Sequence, residues 1–161
     1  MNPADRLPSV LVAGAVSGAA ATGLMSVEML AWQRWAGGGR LAPAVVTERA
    51  LRLLHLEPSG KATRALVETA AHVAFGAGAG AVYAGLTRTL LRVAPGLARI
   101  PPPLRGTAFA LGVYATTYGL AIPALGLVPP PHEDVPRRQP RLLAAHVVYG
   151  AMLGGLLAAR Q

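Results

Sequence analysis

Four long apolar runs separated by short charged connections dominate the chain: residues 10–30 (interrupted only by Glu28), 69–86, 106–127 and 142–159. A helix crossing the hydrocarbon core needs about 20 predominantly apolar residues, within a usual range of about 17–25. All four runs meet that length. Two of them could be buried helices of a soluble protein. Four in a chain of 161 residues leave too little polar sequence to cover them. The pattern predicts an all-α polytopic membrane protein, a single membrane domain over residues 1–161 with four transmembrane helices near 8–32, 63–91, 104–122 and 141–159.

The connections carry their own signals. Trp32 and Trp35 stand at the end of the first run, where interfacial aromatic residues are expected, and Gly37, Gly38 and Gly39 break the helix after them. Pro43 opens a short helix reaching about residue 56. Its apolar positions Val46, Ala50, Leu53 and Leu54 follow a 3–4 spacing, and Glu48 and Arg52 form an i,i+4 pair on the polar side. Such an amphipathic interfacial helix either lies along the membrane surface or packs on the spans as a cap. Pro58, Ser59 and Gly60 end it. Residues 94–103 read as a Pro-rich turn, Pro123 as the end or a kink of the third span, and 128–140, with five prolines, as an extended loop.

The heptapeptide AAHVAFG at 70–76 returns 74 residues later as AAHVVYG at 144–150. Gly76 and Gly80 align with Gly150 and Gly154, so each copy is a histidine followed by Gly-x-x-x-Gly. This predicts a tandem two-helix repeat with halves of about 8–91 and 104–160. Halves of two spans each share one orientation, so the repeat is parallel. Spans one and three match weakly, Thr22-Gly23-Leu24 against Tyr118-Gly119-Leu120. Gly14 and Gly18 repeat the small-residue spacing. In lipid such glycines let helix backbones approach closely, so Gly14, Gly18, Gly76, Gly80, Gly150 and Gly154 are the expected helix-packing positions. The GAGAGA run from Gly76 lies within a span, not between a strand and a helix, and is no dinucleotide site.

Charge supports this picture. The 15 basic and 7 acidic residues give a pI near 11.3, yet the basic residues lie in the connections, not along one helix face. That is the distribution expected near anionic headgroups, and no nucleic-acid partner is implied. Placing the first and third connections inside puts 9 basic residues in the cytoplasm against 6 for the opposite arrangement, a small margin for both termini outside. The absence of cysteine excludes disulfides, Cys-ligated metals and Cys lipidation. MNPADRLPS is a poor signal n-region, so the first span is expected to be retained.

Chemistry concentrates at one membrane face. Counting from the ends of the spans, Glu28, Glu68, His72 and His146 fall within roughly 7–13 Å of the same side at 1.5 Å per residue. Ionisable groups inside spans face the bundle interior or water. Glu68 and His72 are i,i+4 neighbours that could pair, and Thr22, Thr116, Thr117 and Tyr118 offer further partners. Three readings follow. The foremost is packing, in a structural or accessory protein of a homo-oligomer or larger membrane complex. A second is a proton or small-solute conduit or pH-responsive protein, since histidine titrates near neutrality. A third is a ligand site, with His72 and His146 holding haem b, or joining both glutamates around a transition metal. No catalytic triad, metalloprotease helix or phosphate loop is present, so no enzyme is expected, and His132, Glu133 and Asp134 read as a solvated loop.

PALGLVPPP at 123–131, followed by AAHVVYGAMLG at 144–154, resembles the C-terminal half of the YagU-like family of bacterial inner-membrane proteins. AAHVAFGAGAGAVYAG at 70–85 resembles the corresponding earlier span of that family. The likeness covers about half the chain, and the first connection, with its triple glycine and short helix, departs from it. The resemblance implies a multi-pass protein of the bacterial inner membrane and little chemistry.

Overall fold

A computed structural model describes residues 7–36, 40–56, 58–134 and 138–160, and every regular element among them is helical. The break at Gly37, Gly38 and Gly39, the first six residues and Arg137 lie outside the described residues. The elements are α1 (Leu7–Ala36), α2 (Ala42–Leu53), α3 (Lys61–Val93), a 3-10 turn (Pro95–Arg99), α4 (Pro102–Thr116), a π-helical turn (Thr117–Ala121), α5 (Ile122–Ala124) and α6 (Arg138–Ala158).

Among the described residues, three helices are long and apolar enough to cross a membrane: Leu7–Trp35 in α1, Lys61–Val93 and Arg138–Ala158. Their outer sides leave Val12, Val27, Leu66 and Val82 more than 60% exposed. An apolar surface this continuous is costly in water and suited to lipid. The chain has the helices of a membrane protein.

The third apolar run behaves differently from the expectation of a single helix ended or kinked at Pro123. Regular α-helix stops at Thr116, and the path continues through the π turn to Ala124. A proline ring clashes with the carbonyl four residues earlier and offers no N–H. The wider π turn just before Pro123 carries the helical path past that clash. Leu127 then donates to the Ile122 carbonyl at 3.0 Å and Gly126, at φ 68°, closes the end in the left-handed conformation that glycine takes without strain. The expected loop over 128–140 is also shorter, because α6 begins at Arg138. Pro140 is tolerated there since first-turn N–H groups have no helical acceptor.

Packing follows the small residues. α1 lies against α3, α4 against α6, and α1 also against α6. At the first crossing a Cβ on Gly80 would stand 2.8 Å from the Gly18 Cα, and one on Gly18 2.9 Å from the Gly80 Cα. At the second, a Cβ on Gly150 would reach 2.6 Å from the Thr107 Cα, and one on Gly106 2.8 Å from the Gly154 nitrogen. Backbone meets backbone at both places. Gly14 packs against the Ala81–Ala84 turn and Gly154 against Pro102 in the same manner. Between the pairs, the Tyr149 hydroxyl of α6 donates to the Gly76 carbonyl of α3 at 2.7 Å, and the Tyr83 and Phe109 rings meet at 5.2 Å.

Gly80→Val should therefore destabilise the protein by about 1–3 kcal/mol or prevent folding, since backbone cannot yield as a flexible side chain does. Gly78→Ala, on the same helix but facing open space, should be neutral. Thermal unfolding in detergent distinguishes them, and equal effects would contradict the crossing.

Candidate functional site

Each crossing also aims a histidine. His72 precedes Gly76 by four residues and His146 precedes Gly150 by four, so each ring leaves the same helix face one turn before the contact. One turn away from the crossings the helices separate, and both histidines line a single cavity of about 450 Å³. That volume lies within the range of small-molecule sites, about 300–1,000 Å³. α3 also contributes Phe75 and α6 Tyr149, while Thr22 and Met25 of α1 form the back wall.

The π turn supplies another wall through Thr117 and Tyr118. Such turns recur at functional sites because the extra residue re-aims side chains. Here the Tyr118 ring meets His146 edge-on at 6.0 Å, and Tyr114, one turn earlier, does so at 5.3 Å. Tyr114 is itself held by a hydrogen bond from its hydroxyl to Gln139 at the start of α6.

The amphipathic helix takes the cap position. Val46, Ala50 and Leu54 of α2 line the cavity, while its polar side is tied to the rest of the molecule. Glu48 pairs with Arg40, with Arg52 at 2.6 Å and with Arg64 of α3 at 3.4 Å. Arg49 donates to the Leu127 carbonyl at 2.7 Å, fixing the other side of α2 to the segment after α5. Its carboxyl end is a hydrogen-bonded turn from Leu56 back to Leu51 with His55 at φ 57°, a conformation more often given to glycine.

Four polar groups on the wall are bonded to backbone carbonyls. Thr22 Oγ1 bonds the Gly18 carbonyl at 2.8 Å, Thr117 Oγ1 the Val113 carbonyl at 2.6 Å, and Tyr149 the Gly76 carbonyl. His146 is 6% exposed, and its Nδ1 lies 2.7 Å from the Leu142 carbonyl. A carbonyl only accepts, so Nδ1 carries the proton and a neutral His146 keeps Nε2 bare. His72 Nε2 is buried without a hydrogen-bond partner.

The four ionisable residues singled out in the sequence separate into two groups. His72 and His146 share the cavity. Glu68 turns to Arg40, not to its helical neighbour His72, and Glu28 does not line the cavity, its Oε2 being buried and without a partner. Among the described residues no three His, Asp or Glu side chains gather to hold a metal ion. His132 stands beside Glu133 at 3.4 Å, well exposed. Tyr149 was not evident as a wall residue from sequence, although it occupies the place of Phe75 in the repeated heptapeptide. The other missed feature, the π turn, has Pro123 as its only sequence signal.

No family model matches the chain, and neither the curated proteins nor the solved structures contain a match to it.

Because Glu48 ties the polar side of α2 to Arg40 and to Arg64 of α3, Glu48→Ala should loosen the cap alone. Partly exposed pairs of this kind are worth on the order of 1 kcal/mol together. Hydrogen exchange over Ala42–Leu53 should quicken severalfold while α1 and α3 stay protected. Unchanged exchange in α2 would show that its apolar face, not the ion pairs, holds it.

Proposed function

We propose that the protein is a four-span, multi-pass protein of the bacterial inner membrane that binds a small apolar molecule between its helices. The observation that carries this reading is the capped cavity with a histidine from each half of the chain on its wall. A histidine kept only for packing would have both its polar atoms satisfied or solvated, whereas His72 Nε2 is buried and unpartnered.

A fourth span is supported by the helical path from α4 through α5. It covers residues 102–124, a length within the usual spanning range. Packing also favours the tandem repeat, since α4 meets α6 as α1 meets α3. In that correspondence Gly18 matches Gly106 and Thr22 matches Ala110, which differs from the match of Thr22 with Tyr118 read from sequence. The resemblance of residues 70–85, 123–131 and 144–154 to the YagU-like family supports the bacterial inner membrane.

The conduit reading gains less support, because Glu68 is paired with Arg40 and among the described residues no carboxylate lines the cavity. Association with further copies or with other subunits is compatible with the exposed apolar faces and is not required for ligand binding.

Substituting Ala50→Trp on the cap should fill the cavity from a helix that lies outside the glycine crossings. Naphthalene, added at a hundredfold excess over its Kd, should stabilise the wild type by about 2–3 kcal/mol and the variant hardly at all. Equal stabilisation of both proteins would contradict binding in this cavity.

A further inference from the structure

We infer that the ligand is an uncharged, flat aromatic molecule bearing a hydroxyl group, a phenol or hydroquinone, whose O–H donates to His146 Nε2. This rests on the cavity-binding reading and narrows it to a chemical class.

Three observations lead there. First, among the described residues no Asp, Glu, Lys or Arg lines the cavity. A charged ligand would enter without a counter-charge, and burying an unpaired charge is prohibitively costly. The same absence argues against haem, whose propionates would find no cation on this wall.

Second, four donors on the wall are already in use, and the hydroxyls of Thr47 and Tyr118 line it besides. The Thr22, Thr117 and Tyr149 hydroxyls and the His146 Nδ1–H all donate to backbone carbonyls. The Nδ1–H bond fixes the tautomer, and what His146 presents on its other ring nitrogen is a lone pair. A buried acceptor of this kind selects a ligand that brings a proton to share. An ether or hydrocarbon of the same shape would leave it unmet. His72, on the facing helix, has a ring nitrogen still unpartnered and can meet a second polar substituent in either role.

Third, the rings of Phe75, Tyr118 and Tyr149 stand around the histidines, and the edge-on contacts of Tyr114 and Tyr118 hold the His146 ring in place. Aromatic walls of this type favour a flat aromatic guest through offset and edge-to-face contacts.

The test uses naphthol and its methyl ether on the full-length protein in lipid nanodiscs, with nitrogen and proton NMR. Proton contacts from either probe to Val46 and Met25 report occupancy of the cavity. The His146 Nε2 resonance, assigned by its loss in His146→Gln, reports the hydrogen bond. Naphthol should bind roughly tenfold more tightly than the ether, the worth of one buried hydrogen bond, and should alone shift that resonance. In Tyr118→Phe, which keeps the ring and His146, the preference should persist. If both probes contact the cavity equally and neither moves the His146 nitrogen, the hydroxyl inference falls and cavity binding stands. If neither probe contacts the cavity, the reading of a ligand site falls with it.

Discussion

Backbone contact at the glycine crossings is the constraint on which the rest of the molecule depends. In lipid there is no hydrophobic gain from bringing two apolar helices together, so association relies on close packing and on hydrogen bonds between helices. Gly18 against Gly76 and Gly80, and Gly106 against Gly150 and Gly154, provide the first. Tyr149 to the Gly76 carbonyl provides the second, worth about 0.6–1.7 kcal/mol in a membrane interior. A methyl group at either crossing would have to displace main chain, and that makes the helix register nearly single-valued.

The same contacts determine where the helices cannot touch. Because His72 and His146 each precede a crossing glycine by one turn, drawing the helices together at the glycines turns both rings inward at the level where the helices diverge. The space left is walled by the π turn and capped by α2, so three features with separate causes meet at one cavity. Pro123 brings about the first wall, the 3–4 apolar spacing of α2 provides the cap, and the glycines bring the histidines. The resulting interior is largely apolar, has no formally charged side chain on its wall among the described residues, and has four of its donors already in use.

Much of this was legible in the sequence. The three long helices follow from run length alone, and the repeated AAHV[AV][FY]G heptapeptide pointed at both histidines and their glycines. Glu48 with Arg52 was readable because an i,i+4 pair is local. What could not be read depends on contacts between distant segments. Gly106 and Pro102 carry no motif, and they matter only because α6 lies across them. Glu68 looked like a partner for His72 by helical spacing, but Arg40, 28 residues earlier, takes it. The two copies of the heptapeptide are not used alike either: Tyr149 is buried and bonded to α3, whereas Phe75, its counterpart, is half exposed at 54%. A single hydroxyl separates them, and sequence alone did not say which copy would face inward.

The central claim is that the two histidine positions face one shared space inside a single molecule. The chain has no cysteine, so thiols can be placed at will. Treating His72→Cys/His146→Cys in membranes with a short bifunctional thiol reagent, and then cleaving between the halves, measures this directly. Cross-linking within one chain should be efficient, and slight when the first thiol is moved to the outward position Ala74. Cross-links equally efficient from Ala74, or formed only between molecules, would contradict it.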